Sequence, residues 1–367
     1  MPTLLAADVG GTKTILRLAE FLPPIKLQSK SPPIHMLYEQ TYVSQDFPDL
    51  VPMVKIFFAE AQKHLGHLPS PRVACFGIAG PVVDNRSELT NLKWSLDAKV
   101  LEKKLDIPQV VLINDFAANG YGVLGLAESD LHTLQSTPAQ GHAPIAIIGA
   151  GTGLGEAFLI PQSGCYHVFP GEGGHTDFAP QTDIAYQLCR YLQKRENISH
   201  VSIERIVSGI GLVSIYECFR DDYERFRQTY GFEAEAPNLT AAFEAWDQAK
   251  KTGETVESPA ALIAKHAMEE DDRLSQKTMQ LFVQLYGAEA GNFALKLLPY
   301  GGLYITGGIA AKILPLIEKE GFLEAFLNKG RVSSLLKNIP VHIVLNPKVG
   351  LIGAVLYAAK LGSTAAV

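Results

Sequence analysis

Two stretches of this chain repeat one plan, and that plan limits the folds open to it. LLAADVGGTKTILRL (residues 4–18) and IAIIGAGTGLGEAFLI (145–160) each run as an apolar strand, a turn of glycine and threonine, and a second apolar strand. Strand, glycine turn, strand is the pattern of a hairpin. One hairpin opening each half of a chain suggests a duplicated unit, although short hairpins also resemble one another by chance.

After each hairpin, strands alternate with helices. The first half predicts strands at 36–43, 73–78 and 110–113. It also predicts a helix over 47–65, with Leu50, Val54, Phe57, Phe58 and Ala61 on one face. Pro52 is tolerated if it falls in the first turn of that helix. A short helix is expected at 97–105. The second half predicts helices at 182–193, 203–219 and 274–298, strands at 303–306 and 341–345, and a last helix at 351–361. This alternation defines an α/β protein. A chain of 367 residues is longer than one typical domain and fits two. The expected division is a small α/β domain, 1–124 with 346–367, and a large one, 125–345, carrying helical insertions. The Pro-rich stretch 21–35 and the polar stretch 221–258 read as surface excursions with no assigned role.

Composition removes several function classes. A net charge of −6 without a long basic run disfavours nucleic acid and membrane surfaces as partners. Cys75, Cys165, Cys189 and Cys218 form no C-x-x-C pair, so neither a zinc site nor a disulfide framework is expected. The start of the chain has no basic leader, and no apolar run reaches spanning length. A cytoplasmic protein with reduced thiols is the expectation.

Three glycine turns have the composition of phosphate cradles: Asp8 to Thr12 with Gly10 and Gly11, Gly149 to Gly153 with Gly151 and Thr152, and Thr306 with Gly307 and Gly308. Glycine lets backbone N–H groups converge on phosphate oxygens, and threonine adds a hydroxyl. A strand-end aspartate beside such a loop can orient hydrated Mg²⁺. Other nucleotide motifs fail. No Walker loop is present. A G-x-G-x-x-G reading finds Leu154 or Glu156 in its last slot, and a strand follows where that motif needs a helix.

Four further polar groups stand out. Asp115 follows the strand 110–113 and Asn114; it either reaches a ligand or caps the next helix. Glu172 and His175 lie in a run of glycines that suits either a site or a solvated turn. Glu204 follows Ser202, where an acid could simply complement a helix dipole. Together they become more pointed, because carboxylate, amide and imidazole side chains are the ones that bind pairs of sugar hydroxyls.

In their order and separations, DVGGT, Asn114-Asp115-Phe116, GAGTGLG, FPGEGGH, Ser202-Ile203-Glu204-Arg205 and ITGGI resemble the bacterial glucokinase family over nearly the whole chain. The resemblance implies a two-domain actin-like ATPase (ribonuclease H-like) fold with an interdomain cleft. It implies phosphorylation of glucose at its 6-hydroxyl by ATP with Mg²⁺, domain closure that excludes water, and a homodimer. Residue by residue, it implies Asp115 as general base and Asn114, Glu172, His175 and Glu204 as sugar ligands, with Asn91 a further candidate. Asp8, Gly10, Gly11 and Thr12 match the first phosphate loop, Gly151, Thr152 and Gly153 the second, and Gly307 and Gly308 the adenosine side. Lys13 is similar to the ROK group of kinases and repressors, but the zinc-binding cysteines of that group do not follow His175. The alternatives are a kinase for mannose or fructose, a polyphosphate donor, or a sugar-sensing regulator. The last is the least expected, since such regulators usually carry an N-terminal DNA-binding domain and the hairpin here is expected to start at Leu4.

Overall fold

The computed structural model describes residues 1–23, 34–89, 92–221, 237–252 and 256–364. Most of the 21–35 excursion, residues 222–236 and 253–255 of the second, and Asn91 lie outside the described residues. The chain divides into two compact units, one of residues 1–132, 157–170 and 344–367, the other of 133–156 and 171–343.

The first unit is built on a five-stranded sheet. Its strands are β1 (Thr3–Val9), β2 (Lys13–Phe21), β3 (Ile34–Val43), β4 (Val73–Ile78) and β7 (Gln109–Asn114), in the order β3-β2-β1-β4-β7. β5 (Arg86–Leu89) and β6 (Trp94–Asp97) form a separate hairpin that sequence periodicity did not mark. β1 to β3 form an antiparallel meander, while β1, β4 and β7 run parallel. Alternate residues of β1 enter different cores, as a pleat of period two demands. Leu5, Ala7 and Val9 pack with α1 (Leu50–Leu65) and α2 (Ala98–Leu105). Leu4 and Ala6 pack with the terminal helix, Val349–Thr364. A strand covered on both faces reads as a continuous apolar run.

Helix ends follow local chemistry. Asp49 caps α1 through Val51 N–H, which places Pro52 in the first turn. Asp97 caps α2 through Lys99 and Val100, so it lies outside the helix expected to include it. Asn114 caps α3 (Asp115–Val123). The terminal helix reaches α3 at glycines: a Cβ on Gly353 would overlap the Ala118 carbonyl, and one on Gly122 the Val349 carbonyl.

The second sheet has the order β11-β10-β9-β12-β13-β8. Its strands are β8 (Leu131–Gln135), β9 (Ile145–Ala150), β10 (Leu154–Gln162), β11 (Cys165–Gly171), β12 (Gly302–Thr306) and β13 (Val341–Val344). The helices of this half include α4 (Asp183–Glu196), α5 (Gly209–Asp221), α6 (Pro237–Thr252), α7 (Ala260–Glu269), the long α8 (Arg273–Leu297) and the short α9 (Gly308–Lys312).

Three local expectations are corrected. Residues 203–219 are not one helix: a 3-10 turn, Ile203–Arg205, precedes α5. Ser208 Oγ accepts from Gly211 N–H and starts a new helix, and only glycine at 211 fits against the Ile206 carbonyl. Pro170 and Gly171, expected in an irregular run, end β11; an edge strand tolerates proline because its outer N–H has no ladder partner. Within the polar stretch 221–258, α6 buries Leu239 and Phe243, and Phe243 stacks on Tyr216 with ring centroids 4.9 Å apart. Burying such side chains is worth about 1.5–3 kcal/mol each, which holds α6 on the unit despite its charged composition.

Candidate active site

In the first unit, strand register brings the acids together. Asp8 pairs across the sheet with Gly77, and Gly77 with Ile113, so Asp8 and Asp115 project from the carboxyl ends of parallel strands. That edge is where open α/β sheets bind ligands. Gly77 keeps the intervening strand low, since a Cβ there would sit 3.1 Å from that of Ala118. Asn114 is committed to structure. Its Oδ1 accepts from Phe116 N–H at 2.8 Å and Ala117 N–H at 3.3 Å, and its Nδ2 donates to the Gly80 carbonyl at 3.1 Å.

Asp115 is the first residue of α3, whose cap is Asn114, and its Oδ1 accepts from Phe116 N–H at 2.9 Å. Two effects compete at its carboxyl group. Burial and the neighbouring Asp8 charge raise its pKa, while the Phe116 N–H lowers it; burial is the largest, and the group is pushed up to about 6. Burial raises Asp8 as well, opposed by the Lys13 charge.

The first glycine turn is propped from outside. Gly10 N–H donates to the Lys13 carbonyl at 3.0 Å. Ser44 donates its hydroxyl to the Gly10 carbonyl at 2.7 Å and its N–H to the Thr12 carbonyl at 2.9 Å. Its partner on the hairpin is the buried Thr14 hydroxyl, 3.0 Å away. The loop carbonyls are thereby used internally. Thr12 and Lys13 are exposed.

In the second unit the turn between β9 and β10 is also propped. Gly151 N–H donates to the Gly153 carbonyl at 2.8 Å, and Gly209 N–H to the Gly151 carbonyl at 2.9 Å. Glu204 accepts from Leu154 N–H at 2.9 Å and fills the space a Cβ on Gly153 would need. Its acid therefore braces the second glycine turn. Gly307, with φ of +83°, lies so close to the Ala150 carbonyl that a side chain would overlap it. Ala150 N–H in turn donates to the buried Tyr286 hydroxyl at 3.0 Å.

Glu172, His175 and Glu204 come together. His175 Nε2 is 3.9 Å from Glu172 Oε2, and its Nδ1 is 4.0 Å from Glu204 Oε1. Their side chains are 79%, 63% and 32% exposed, which leaves polar atoms open to a ligand. The run of glycines has a steric cause. A Cβ on Gly173 would overlap the Glu156 carboxylate, and one on Gly174 the Leu154 carbonyl, so the loop lies flat on β10.

Sequence reasoning passed over Ser44, Tyr286 and Glu156. Ser44 and Tyr286 act at hydroxyls that carry no pattern. Glu156 was legible: it is the one charged residue in the apolar run of β10, and it is 4% exposed.

Paired glycine turns at the heads of two α/β sheets, with acids at one sheet's carboxyl edge, belong to the actin-like ATPase architecture of the sugar kinases. The family model described as Glucokinase matches residues 5–361. The glucokinase of Trichormus variabilis is 54% identical over 98% of this chain and 100% of its own length. That of Synechocystis sp. is 49% identical over 97% of this chain and 98% of its own. A crystal structure of a glucokinase from an Antarctic psychrotroph superposes with a TM-score of 0.78 at 27% identity, covering 98% of this chain and 99% of that one. The chain belongs to the glucokinase family.

Proposed function

We propose that this enzyme transfers the γ-phosphoryl group of ATP to the 6-hydroxyl of glucose, with Asp115 as the base. The observation that carries this reading is Asp115 itself, a partly buried carboxyl at a strand's carboxyl end with a pKa pushed up to about 6. Such a group is mostly ionised at neutral pH and accepts a proton better than an ordinary aspartate. The 6-oxygen attacks phosphorus, the bond to the ADP bridging oxygen breaks, and the hydroxyl proton passes to Asp115. Phosphoryl transfer otherwise asks the protein for position and charge stabilisation. The turns at 10–12 and 151–153 are read as phosphate cradles, with Gly307 and Gly308 toward the adenosine. Glu172, His175 and Glu204 are read as ligands of the ring hydroxyls, and Asn114 through its remaining amide hydrogen.

Carboxylate oxygens are the ligands Mg²⁺ prefers, and burial opposes the charge on Asp8, which a cation would stabilise. Asp8 would hold hydrated Mg²⁺, which neutralises charge on the phosphates when bound. No helix among the described residues is long and apolar enough to cross a membrane. A cytoplasmic homodimer completes the reading, on the sequence resemblance.

ADP release measured over a panel of hexoses tests the proposal. Glucose is expected to be the best substrate, with mannose and fructose weaker, because unpaired buried polar groups penalise an inverted or missing hydroxyl. A preference for fructose, or no hexose-dependent ADP release, would sink it.

A further inference from the structure

Glu156 has no part in the reaction as drawn, yet it occupies a demanding place. It is 4% exposed, and its Oε1 is buried without a hydrogen-bond partner. Its Oε2 lies against the backbone of Gly173, between Glu172 and Gly174. An acid so enclosed is costly unless it serves its surroundings.

We propose that Glu156 is a positioning residue for the sugar loop: its carboxyl group is the bed on which residues 171–175 rest, and it sets sugar affinity without touching sugar. The inference rests on the reading of Glu172 and His175 as hydroxyl ligands. Three observations carry it. Gly173 and Gly174 have no space for a side chain because the loop lies directly on Glu156 and Leu154. The loop then turns through the 3-10 segment Gly173–His175, so a shift at Gly173 is passed to both flanking ligands. Glu156 also feels the charges of α8: the buried acid Glu289 and the amine of Lys296 act on it, and it acts on the buried Tyr286. Glu289 is itself hydrogen-bonded by Asn292 at 3.0 Å and sits near Lys329.

Two buried acids that feel one another resist being charged together. Burial and Glu289 push Glu156 up to about 7, against the pull of Lys296. The bed is therefore neutral below about pH 7 and becomes a buried anion above it. Ionisation adds a charge that burial and Glu289 both oppose, so the seated loop is less stable with Glu156 ionised. Sugar binding, which needs the seated loop, should take up a proton near neutral pH.

The experiment is steady-state kinetics of the full chain from pH 6 to 9 for wild type, Glu156→Gln, Glu156→Ala and Glu172→Gln. In wild type the glucose KM is expected to rise above pH 7, by at most about tenfold per pH unit, the limit for one linked proton. Glu156→Gln, a neutral isostere, should keep the low KM at pH 6 and lose the rise. Glu156→Ala should raise KM about tenfold at every pH, the size of one lost buried interaction, with kcat within about twofold and ATP KM unchanged. A Gln variant with the wild-type pH profile would overturn the proposal, as would Ala lowering kcat as much as it raises KM. Should the variants fail to fold, calorimetry of glucose binding to wild type in two buffers of different ionisation enthalpy decides: proton uptake near pH 7.5 supports the inference, and none overturns it. Glu172→Gln separates the layers. If its glucose KM is normal, the sugar-loop reading fails; if it is impaired while both Glu156 variants behave as wild type, only this inference fails.

Discussion

The two sheets share one strand order and differ in chemistry. Strands β3-β2-β1-β4-β7 and β11-β10-β9-β12-β13 follow the same order, each with a glycine hairpin at its centre. Aligning the hairpins sets Asp8 against Gly149, and each pairs with its neighbour in the same place, Asp8 with Gly77 and Gly149 with Thr306. The acid is in the centre strand of one sheet, where the other has glycine. Each turn is braced from outside, by Ser44 in the first and by Gly209 and Glu204 in the second. One backbone plan thus carries different residues at the same place, an acid in the first sheet and a glycine in the second.

The largest expected effect breaks that asymmetry at Asp115. Asp115→Asn keeps the shape and removes the base, so kcat should fall roughly 10²–10⁴-fold while glucose affinity, followed by calorimetry, stays close to wild type. Near-normal turnover would leave the first sheet without its chemistry.

Glu204→Gln comes next. Because Glu204 braces the second turn through Leu154 and also flanks His175, the structure predicts that both glucose and ATP affinities weaken. The sequence alone assigned it to sugar only. Gln keeps an acceptor for Leu154 N–H but loses the charge assistance, worth about 1–2 kcal/mol, roughly 5- to 30-fold. An ATP KM unchanged in this variant would show that the brace is idle.

A smaller effect is expected at the second turn itself. A Cβ at Gly151 would meet nothing within 4 Å in the protein, so Gly151→Ala is free of internal clash. Any loss in ATP affinity then reports an approaching phosphate, and about tenfold is expected, the scale of one hydrogen bond. Sugar affinity collapsing while ATP holds would reverse the assignment of this turn.

The mildest test is pH. Asp115 must be ionised to accept a proton, so kcat/KM should rise with pH through about 6. A cation beside Asp8 would move that limb lower. Stability runs the other way. The folded pKa is raised above 3.8, so the contribution of Asp115 to stability is fully present below about 3.8 and is lost as pH rises to about 6. Thermal melts of wild type and Asp115→Asn between pH 4 and 7 should converge or cross in that window; parallel curves would remove Asp115 as the titrating group.

The sequence by itself determined the two glycine hairpins, the α/β alternation and the face of the first helix, and it nominated the candidate residues, because these readings rest on residues close in the chain. Continuous apolar runs make strands covered on both faces, and Asp49, Asp97 and Asn114 start helices through N–H groups two or three residues away. Only the tertiary structure decided what those residues do beyond their own segment. The Asp8 and Asp115 carboxyls meet through strand register across 107 positions of chain, and one raises the other. Glu204 reaches a peptide N–H 50 residues away, and Glu156 lies under a glycine that follows it by 17. Local propensity carries no record of such meetings: desolvation and charge coupling depend on what is near in space, and burial, rather than residue type, moves these acids away from their ordinary pKa.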